Sequence, residues 1–406
     1  MDLSTWNWKL LLPLLLFGIL FPYEDWVSTP SCTIVPTTAY PNQEYVVDKE
    51  DNTEEDLKVM MVANLLLYGS EAGIFNQYFR DYYLSKFFMK SFHTLKPDML
   101  LVLGDVSAKG FELTKTKWVS VLHHFHRIIG PFLELPFHVV LGDRDVGECS
   151  KLDVRSVQWL ARSFPGLDSA GCGAFEISNV SFVSLNAVAL LCGNNKLRFN
   201  VEGAIESESI DLQMETENIS KVMDDSEKFS ELSDNFRWRE NAKSSGSGPV
   251  LLLHFPLHQT ANGSCREGSI FEKVPSFFQR GSNALRSREF TDSGPHNLLH
   301  TIPPNASEYI FQALKPRIIF SAHTDEFCDH THSDGTREVT VPAMTWRVRD
   351  NPGFVIATFH SDRRPVSVSY CSLARESHVL MVHMSFLILL LTIWLVANTP
   401  LLRSLR

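Results

Sequence analysis

Five polar residues in the sequence follow short apolar runs, and their types are those of metal ligands. Asp105 ends LVLGD, and Asp143 and Asp145 follow the next such run in LGDRD. His254 ends VLLLH, and His323 follows IIFSA. Carboxylates and imidazoles bind Mn, Fe and Zn, and a carboxylate bridging two such ions suits phosphoester hydrolysis. One polar residue at a strand end is usually a cap or a turn, but the repeated pattern predicts a metal centre.

Apolar runs alternate with helical stretches along the chain, and these elements must position the polar residues. The carboxyl ends of strands in an α/β sheet are where ligand-binding residues gather. Strand-rich and helical segments in this order predict a mixed sheet, or two packed sheets flanked by helices. Strands are predicted at 57–68, 99–103, 137–141, 174–177, 180–185, 250–254, 318–321, 338–346, 354–360 and 366–370, and helices at 75–95, 118–129 and 306–314.

One internal segment, residues 202–248, differs from the rest of the chain. It is polar and acidic and ends in KSSGSG, a composition typical of flexible linkers. We predict an acidic insertion there, a loop with some helix, within a single domain.

The two ends of the chain are strongly apolar. Residues 1–26 contain an apolar stretch after Lys9, which predicts a signal peptide or an uncleaved N-terminal anchor. Residues 379–397 are long and apolar enough to cross a bilayer, with a buried C-terminal helix as the alternative. Arg403 and Arg406 in the tail, residues 398–406, favour a cytosolic position for it.

The body of the protein is then expected on the luminal side of a membrane. Four N-x-S/T acceptor sequences agree with this side. Seven cysteines without a CxxC pair exclude a zinc ribbon and allow up to three disulfides and one free thiol, with the pairing open. A formal net charge of -10 argues against a general nucleic-acid binder. The acceptor asparagines are Asn179, Asn218, Asn262 and Asn305.

The order of motifs GD, GDRD, LLLHFPL and SAHTD resembles that of the calcineurin-like metallophosphoesterases. The block EVTVPAMTWRVRDNPGF, residues 338–354, resembles the membrane-bound branch that remodels GPI anchors by removing ethanolamine phosphate. The resemblance covers about 57–359 and implies an αββα two-sheet sandwich over residues 55–372. It also implies the secretory pathway membrane, between ER and Golgi, as the location.

The sequence departs from this family at several positions. The family's Asp-x-His after the first strand is here Asn64 and Leu66. Its GNHD is GDRD, so Asp143 replaces the Asn and Arg144 replaces the phosphate-contacting His. The second His of its GHTH is Asp325.

These changes fall unevenly on the two metal sites that the resemblance implies. The first site loses a ligand outright, because a leucine cannot bind metal and a neutral Asn is a poor donor. The second site keeps four groups that can bind metal. We therefore expect one or two divalent ions, Mn foremost, with Zn or Fe also accepted by these ligands. The first site would use Asn64, Leu66, Asp105 and Asp325, and the second Asp105, Asp143, His254 and His323.

Three further residues are candidates for catalysis, and two more for metal binding. Arg144 can bind a phosphate oxygen but cannot shuttle a proton at neutral pH. Asp145 completes the GDRD motif, and His258 lies close to His254, either as a substrate group or as a surface residue. His330 and His332 could replace lost ligands, but they are predicted on a polar, solvated loop.

Two functions of different class follow. The first is a membrane-anchored phosphodiesterase acting on GPI-anchored or other glycolipid substrates. The second is a catalytically impaired relative that binds a phosphorylated glycolipid or a cargo protein without efficient turnover. A purely structural luminal protein is a weaker third alternative, since it leaves the strand-end ligands without a role. The expected partners are the substrate and the lipid bilayer, without nucleic acid, and the sequence does not indicate an oligomeric state.

Overall fold

The computed structural model describes residues 8–36, 56–192, 196–227, 248–258, 300–360 and 365–398. The strands in these ranges are β1 (Ser31–Ile34), β2 (Leu57–Val62), β3 (Met99–Leu103), β4 (Phe137–Val140), β5 (Gly173–Ile177), β6 (Val180–Ser184), β7 (Val250–Leu252), β8 (Ile318–Ser321), β9 (Cys328–Thr331), β10 (Arg337–Thr340), β11 (Gly353–Phe359) and β12 (Ser367–Ser372). The helices are α1 (Trp8–Val27), α2 (Asp81–Leu95), α3 (Lys115–Ile129), α4 (Asp143–Val146), α5 (Val154–Ala161), α6 (Ala187–Leu191), α7 (Lys196–Glu227), α8 (Pro304–Leu314) and α9 (Glu376–Asn398).

The strands form two six-stranded sheets. The first sheet has the order β1-β12-β11-β2-β3-β4, and the second has the order β5-β6-β7-β8-β10-β9. Strands β2, β3 and β4 run parallel, as do β6, β7, β8 and β10. Continuous apolar runs suit such strands because both of their faces are buried.

The sheets pack face to face, and helices cover their outer faces. One hydrophobic cluster lies between the sheets, with Met61 and Leu101 from the first and Leu252 and Phe320 from the second. The larger cluster joins the outer faces to helices such as α2, α3 and α8. This confirms the predicted αββα two-sheet sandwich.

Several predicted elements differ in extent from the observed ones. The strand predicted at 57–68 ends at Val62, since the next residues turn toward the strand-end loops. The strand predicted at 338–346 ends at Thr340, the last residue of β10. Short strands β1 and β9 were not predicted, because neither SCTI nor CDHT is a continuous apolar run. The acidic insertion begins inside α7, a helix that starts at Lys196, and residues 228–247 lie outside the described part.

The prediction that His330 and His332 lie on a solvated polar loop was wrong, because neither side chain is solvated. His330 lies on β9 and is buried, and the side chain of His332 is only 6% exposed. The pairing of β9 with β10 buries them, and a sequence of alternating polar residues gave no apolar signal for that strand.

Helix α9 is long and apolar enough to cross a membrane, and within the described residues it is the one such helix. By length and composition, this helix fits a membrane-anchored protein. Helix α1 packs beside it, with the rings of Phe17 and Phe386 5.3 Å apart.

Disulfides join Cys32 to Cys371 and Cys149 to Cys192. Cys328 is also disulfide-bonded, and Cys172 is a buried free thiol.

Candidate metal centre

The carboxyl ends of β3, β4, β7 and β8 meet at one edge of the sandwich. The loops after these strands carry Asp105, Asp143, His254 and His323, in that order. The ligand atoms of Asp143, His254 and His323 all lie within 4.8 Å of one another. Asp105 Oδ1 lies 3.7 Å from His254 Nε2. The structure thus brings together the four residues predicted for the second metal.

The hydrogen bonding of His254 orients its ring for a cation. Its Nδ1–H donates to the Leu103 carbonyl at 3.0 Å, which leaves Nε2 directed at the carboxylates. His254 Nε2 lies 2.9 Å from Asp143 Oδ1. Metal-binding histidines are commonly fixed in this way by their second ring nitrogen. His323 faces the same oxygen, with its Nδ1 3.3 Å from Asp143 Oδ1.

The ionisation of these groups shows that the pocket favours positive charge. Burial opposes protonation of His254, but the carboxylates of Asp105 and Asp143 outweigh burial and raise its pKa to about 9. Burial likewise opposes ionisation of Asp143, yet hydrogen bonds from His254 and His323 hold its pKa well below the usual value. Burial and the nearby charge of Asp143 raise the pKa of Asp105. A divalent ion would supply the positive charge that a proton on His254 otherwise supplies.

Two glycines allow the strand ends to approach this closely. Gly104 has a φ of +83°, and a Cβ there would lie 2.0 Å from Nδ1 of His254. A Cβ on Gly142 would lie 2.2 Å from Oδ1 of Asp105. The glycine of each Gly-Asp pair is therefore required by contact with the metal-binding side chains. The donor set and its packing fit one divalent ion held by Asp105, Asp143, His254 and His323.

The positions of the first metal are arranged differently. Asn64 and Leu66 follow β2, and Asp325 follows His323 in the loop after β8. Asn64 Nδ2 donates to Asp325 Oδ1 at 2.6 Å, while the buried Oδ1 of Asn64 has no hydrogen-bond partner within the described residues. Leu66 is 2% exposed and contributes to the core beside them. A hydrogen bond and an apolar side chain thus stand at the positions of the first metal's ligands.

The backbone at these positions nevertheless keeps an unusual conformation. All four of them, and His323 of the second site, have a left-handed φ, although none is a glycine. Such residues cost free energy and are concentrated at functional sites. A buried leucine in this conformation is especially costly, because its side chain gains no local hydrogen bond in return. The loops therefore hold a strained backbone at the positions that the resemblance assigns to metal ligands. The residues are Asn64 (51°), Leu66 (55°), Asp105 (46°), His323 (67°) and Asp325 (61°).

Arg144 contacts the carboxylate that a two-metal centre would share. Its Nε lies 3.4 Å from Asp105 Oδ2, and its backbone N–H donates to Asp105 Oδ1 at 3.0 Å. The side chain of Arg144 is 37% exposed, so the guanidinium also faces the opening of the site. Its positive charge balances the carboxylate of Asp105.

The other two residues predicted for catalysis lie apart from the cluster. Asp145 is buried and accepts backbone N–H groups from Val106, Ser107 and Gly142. Burial raises its pKa to about 6 against these hydrogen bonds. Its contacts position the loop of Asp105. His258 is half-buried, and its backbone N–H donates to Ser307 Oγ. Catalytic roles for both stay predictions.

Sequence reasoning assigned no site role to three residues that contact these loops. Arg347 Nη1 donates to the Leu65 carbonyl at 3.1 Å, and Arg349 Nη1 donates to the Asp325 carbonyl at 2.6 Å. Both arginines belong to the TWRVRD block, and the resemblance of that block to the family was the sequence signal that could have identified them. His300 is exposed, with its Nδ1 3.1 Å from His323 Nε2. Nothing in its local sequence indicated that contact.

Comparison with known proteins gives matches along most of the chain. No protein-family model matches it. Metallophosphoesterase 1 of Rattus norvegicus is 26% identical over 330 residues, covering 80% of this chain and 74% of that protein. Metallophosphoesterase 1 of Danio rerio is 24% identical over 350 residues, covering 85% and 82%. In sequence, the chain is similar to these metallophosphoesterases.

Two solved structures are also similar to this chain. A dimetal phosphatase from Danio rerio aligns with a TM-score of 0.40 and 10% identity, over 74% of this chain and 95% of that one. A purple acid phosphatase from yellow lupin aligns with a TM-score of 0.38 and 13% identity, over 79% and 54%.

Proposed function

We propose that this chain is a membrane-anchored, metal-dependent phosphoesterase that works with one divalent ion. The observation that carries the proposal is the convergence of Asp143, His254 and His323, with the His254 ring fixed by Leu103. A bound ion at such a site lowers the pKa of a bound water and polarises a phosphoryl oxygen. Among divalent ions, Mn is our first choice, with Zn and Fe compatible with the same ligands.

The residues around the ion suggest how a phosphoester would be held. Arg144 is exposed enough to donate to a phosphate oxygen while it stays close to Asp105. A guanidinium is a strong donor to phosphate and remains charged at every relevant pH. The exposed imidazole of His300 lies beside His323 and is suited to pass a proton to a leaving group. We assign substrate positioning to Arg144 and proton transfer to His300.

For the substrate, we propose ethanolamine phosphate on a GPI-anchor glycan, cleaved during transport from ER to Golgi. The support is the likeness of the HFPL and WRVRDNPGF sequences to the membrane-bound branch of the family, and the apolar helix α9. The sandwich would then lie in the lumen, with the tail of residues 398–406 in the cytosol. Asn179 and Asn305 are exposed and could accept glycans on that side.

The N-terminal segment is proposed to remain as a second anchor rather than to be cleaved. Glu24 Oε2, near the end of α1, pairs with Lys86 on α2 at 2.5 Å. Asp25 pairs with Lys90 one turn further along α2. These ion pairs and the Phe17–Phe386 contact join α1 to both the sandwich and α9.

A second candidate function is phosphate binding without efficient turnover. The hydrogen bond between Asn64 and Asp325 favours it, because that bond takes the place of metal coordination in the first site. A two-metal centre stabilises both the attacking and the leaving oxygen, and a single ion provides only part of this.

The test measures metal content and hydrolysis with the full chain purified in detergent. Mn-loaded protein is expected to bind one ion per chain and to cleave a chromogenic phosphodiester and an ethanolamine-phosphate glycan. His254→Ala should abolish both, whereas His93→Ala, an exposed histidine of α2, should change neither. Metal binding without hydrolysis, followed by a large gain of activity in the quadruple variant Asn64→Asp, Leu66→His, Arg144→His, Asp325→His, would favour the second function. A folded chain that binds no metal would overturn the phosphoesterase and leave phosphate binding or a purely structural role.

A further inference from the structure

A second group of metal-binding side chains lies on the β9–β10 hairpin. It consists of His330, His332 and Glu338, which we call the hairpin triad. Their ligand atoms all lie within 4.8 Å of one another. Strand β9 is at the edge of the second sheet, and Glu338 pairs across the hairpin with His330. The hairpin triad shares no residue with the centre described above.

Both imidazoles of the hairpin triad approach the same carboxylate oxygen. His332 Nε2 lies 2.6 Å from Glu338 Oε2, and His330 Nε2 lies 3.5 Å from it. The Glu338 side chain is fully buried, and the two histidine side chains are 3% and 6% exposed. Two nitrogens and one oxygen therefore converge on one shielded point.

A buried carboxylate in this position needs a positive partner. Removing a carboxylate from water costs several kcal/mol unless a charge or a hydrogen-bond network compensates. The nearby arginine of the hairpin, Arg337, is paired with Asp329 instead. A divalent cation would satisfy the carboxylate and both imidazoles together.

The spacing of the hairpin triad is close to that of a tetrahedral zinc site. Bonds of ~2.0–2.2 Å from zinc to His nitrogen and carboxylate oxygen place neighbouring ligand atoms about 3.3 Å apart. The observed separations of 2.6 and 3.5 Å lie on either side of this value. Side-chain shifts of less than 1 Å would admit an ion, and water would complete its coordination.

We propose that the hairpin triad is a second metal site, for a divalent ion of the zinc class. Its role would be positional. Glu338 Oε1 accepts the backbone N–H of Leu257 at 3.3 Å, three residues after His254. The ring of Phe311 on α8 packs against His332 at 4.9 Å between centroids. An ion there would fix the hairpin to the loop that carries His254.

The experiment first removes the catalytic centre so that the hairpin triad is measured alone. The double variant Asp143→Asn, His323→Asn is made in the full chain, in detergent, and equilibrated with zinc before unbound metal is removed. We expect about one zinc per chain. Adding His330→Gln and His332→Gln should remove it, since glutamine keeps hydrogen bonding but binds zinc poorly. His360→Gln is the matched control, because His360 also pairs with a carboxylate, Asp56, but belongs to no group of three metal-binding side chains among the described residues.

A second measurement leaves the hairpin triad unmutated, in case its variants fail to fold. Cobalt added to the catalytic-centre variant should give the visible absorption bands of a tetrahedral ion with nitrogen and oxygen ligands. Absence of zinc and of these bands in folded protein would overturn the proposal. So would zinc that persists after both glutamine substitutions, since it would then be bound elsewhere. In either case, the contact between His332 and Glu338 would be a hydrogen bond without a metal ion. The outcome is independent of whether the chain hydrolyses phosphoesters.

Discussion

At the scale of single residues, the centre differs from a two-metal arrangement by a few side chains. Asn64 and Asp325 occupy ligand positions but bond to each other, and Leu66 adds an apolar surface beside them. Arg144 supplies a positive charge next to Asp105. Against the family's pattern, Asn64 removes a carboxylate and Arg144 balances Asp105, whereas Asp325 adds a carboxylate that accepts a hydrogen bond from Asn64. We interpret them as one coordinated change to a single-ion centre.

Asn64→Asp tests this interpretation. The substitution places a carboxylate 2.6 Å from Asp325 Oδ1 in a mostly buried position. We expect it to lower the free energy of unfolding by about 2–4 kcal/mol in EDTA, because it adds an unpaired buried charge. Excess Mn should recover part of the loss by binding between the two carboxylates. Asn64→Ala is the control, and it should cost about 1 kcal/mol through the lost hydrogen bond, without recovery by Mn. Thermal unfolding in detergent measures both, and an Asp variant as stable as the Ala variant contradicts the interpretation.

At the scale of elements, the centre depends on parallel strands that end at the same edge. Strands β3 and β4 belong to the first sheet and β7 and β8 to the second, so their loops meet across the sandwich. The loops must pass close to one another, which is why Gly104 and Gly142 precede the two aspartates. Ligand geometry is thus set by the strand ends and by backbone contacts more than by the loops themselves.

Gly104→Ala should therefore weaken metal binding by about 10- to 100-fold. The added methyl group would overlap the His254 ring, whose Nδ1 it would approach to 2.0 Å, and the ring would have to turn away from Asp143. Gly335→Ala is a matched control, since its φ of +90° carries a similar backbone cost with no atom within 4 Å of the new Cβ. Titration with Mn separates the two effects. Equal affinities of the two variants would show that the close approach at Gly104 has no part in binding.

At the scale of the whole molecule, stability depends on how the two sheets are joined. His138 on β4 shares a hydrogen bond with Ser184 on β6, with 2.7 Å between Nε2 and Oγ, and so links the first sheet to the second. Burial lowers the pKa of His138 to about 4, and a hydrogen bond to the Pro165 backbone only partly opposes this. The folded protein therefore holds this histidine neutral.

Because the pKa of His138 is lowered in the folded protein, the fold becomes less stable as the pH falls. A histidine whose pKa is about 4 when folded and near 6.5 when unfolded stabilises the fold fully above pH 6.5. That stabilisation decreases as the pH falls toward 4, by on the order of 2 kcal/mol at pH 4.5. His138→Gln should therefore flatten the dependence of unfolding free energy on pH between 6.5 and 4.5. His93→Gln, at an exposed position, should leave the slope unchanged. Parallel slopes for the native chain and the His138 variant would contradict the assignment.

The sequence by itself determined the strands and the types of the ligands. Buried parallel strands require continuous apolar runs, so β3 and β8 could be predicted to the residue. Asp105 and His323 could be identified from the sequence because each is a polar residue that follows one of these apolar runs. Short or edge strands such as β9 carry no such run, and its burial of His330 was missed.

Only the tertiary structure decided which of these residues meet. The contact between Asn64 and Asp325 joins positions 261 residues apart, on different sheets. The hairpin triad forms because β9 folds back on β10 beneath α8, and Arg347 reaches the Leu65 carbonyl from the far end of the chain. Hydrophobic periodicity records whether a residue is buried but not what lies opposite it, since that depends on how two sheets and their loops pack.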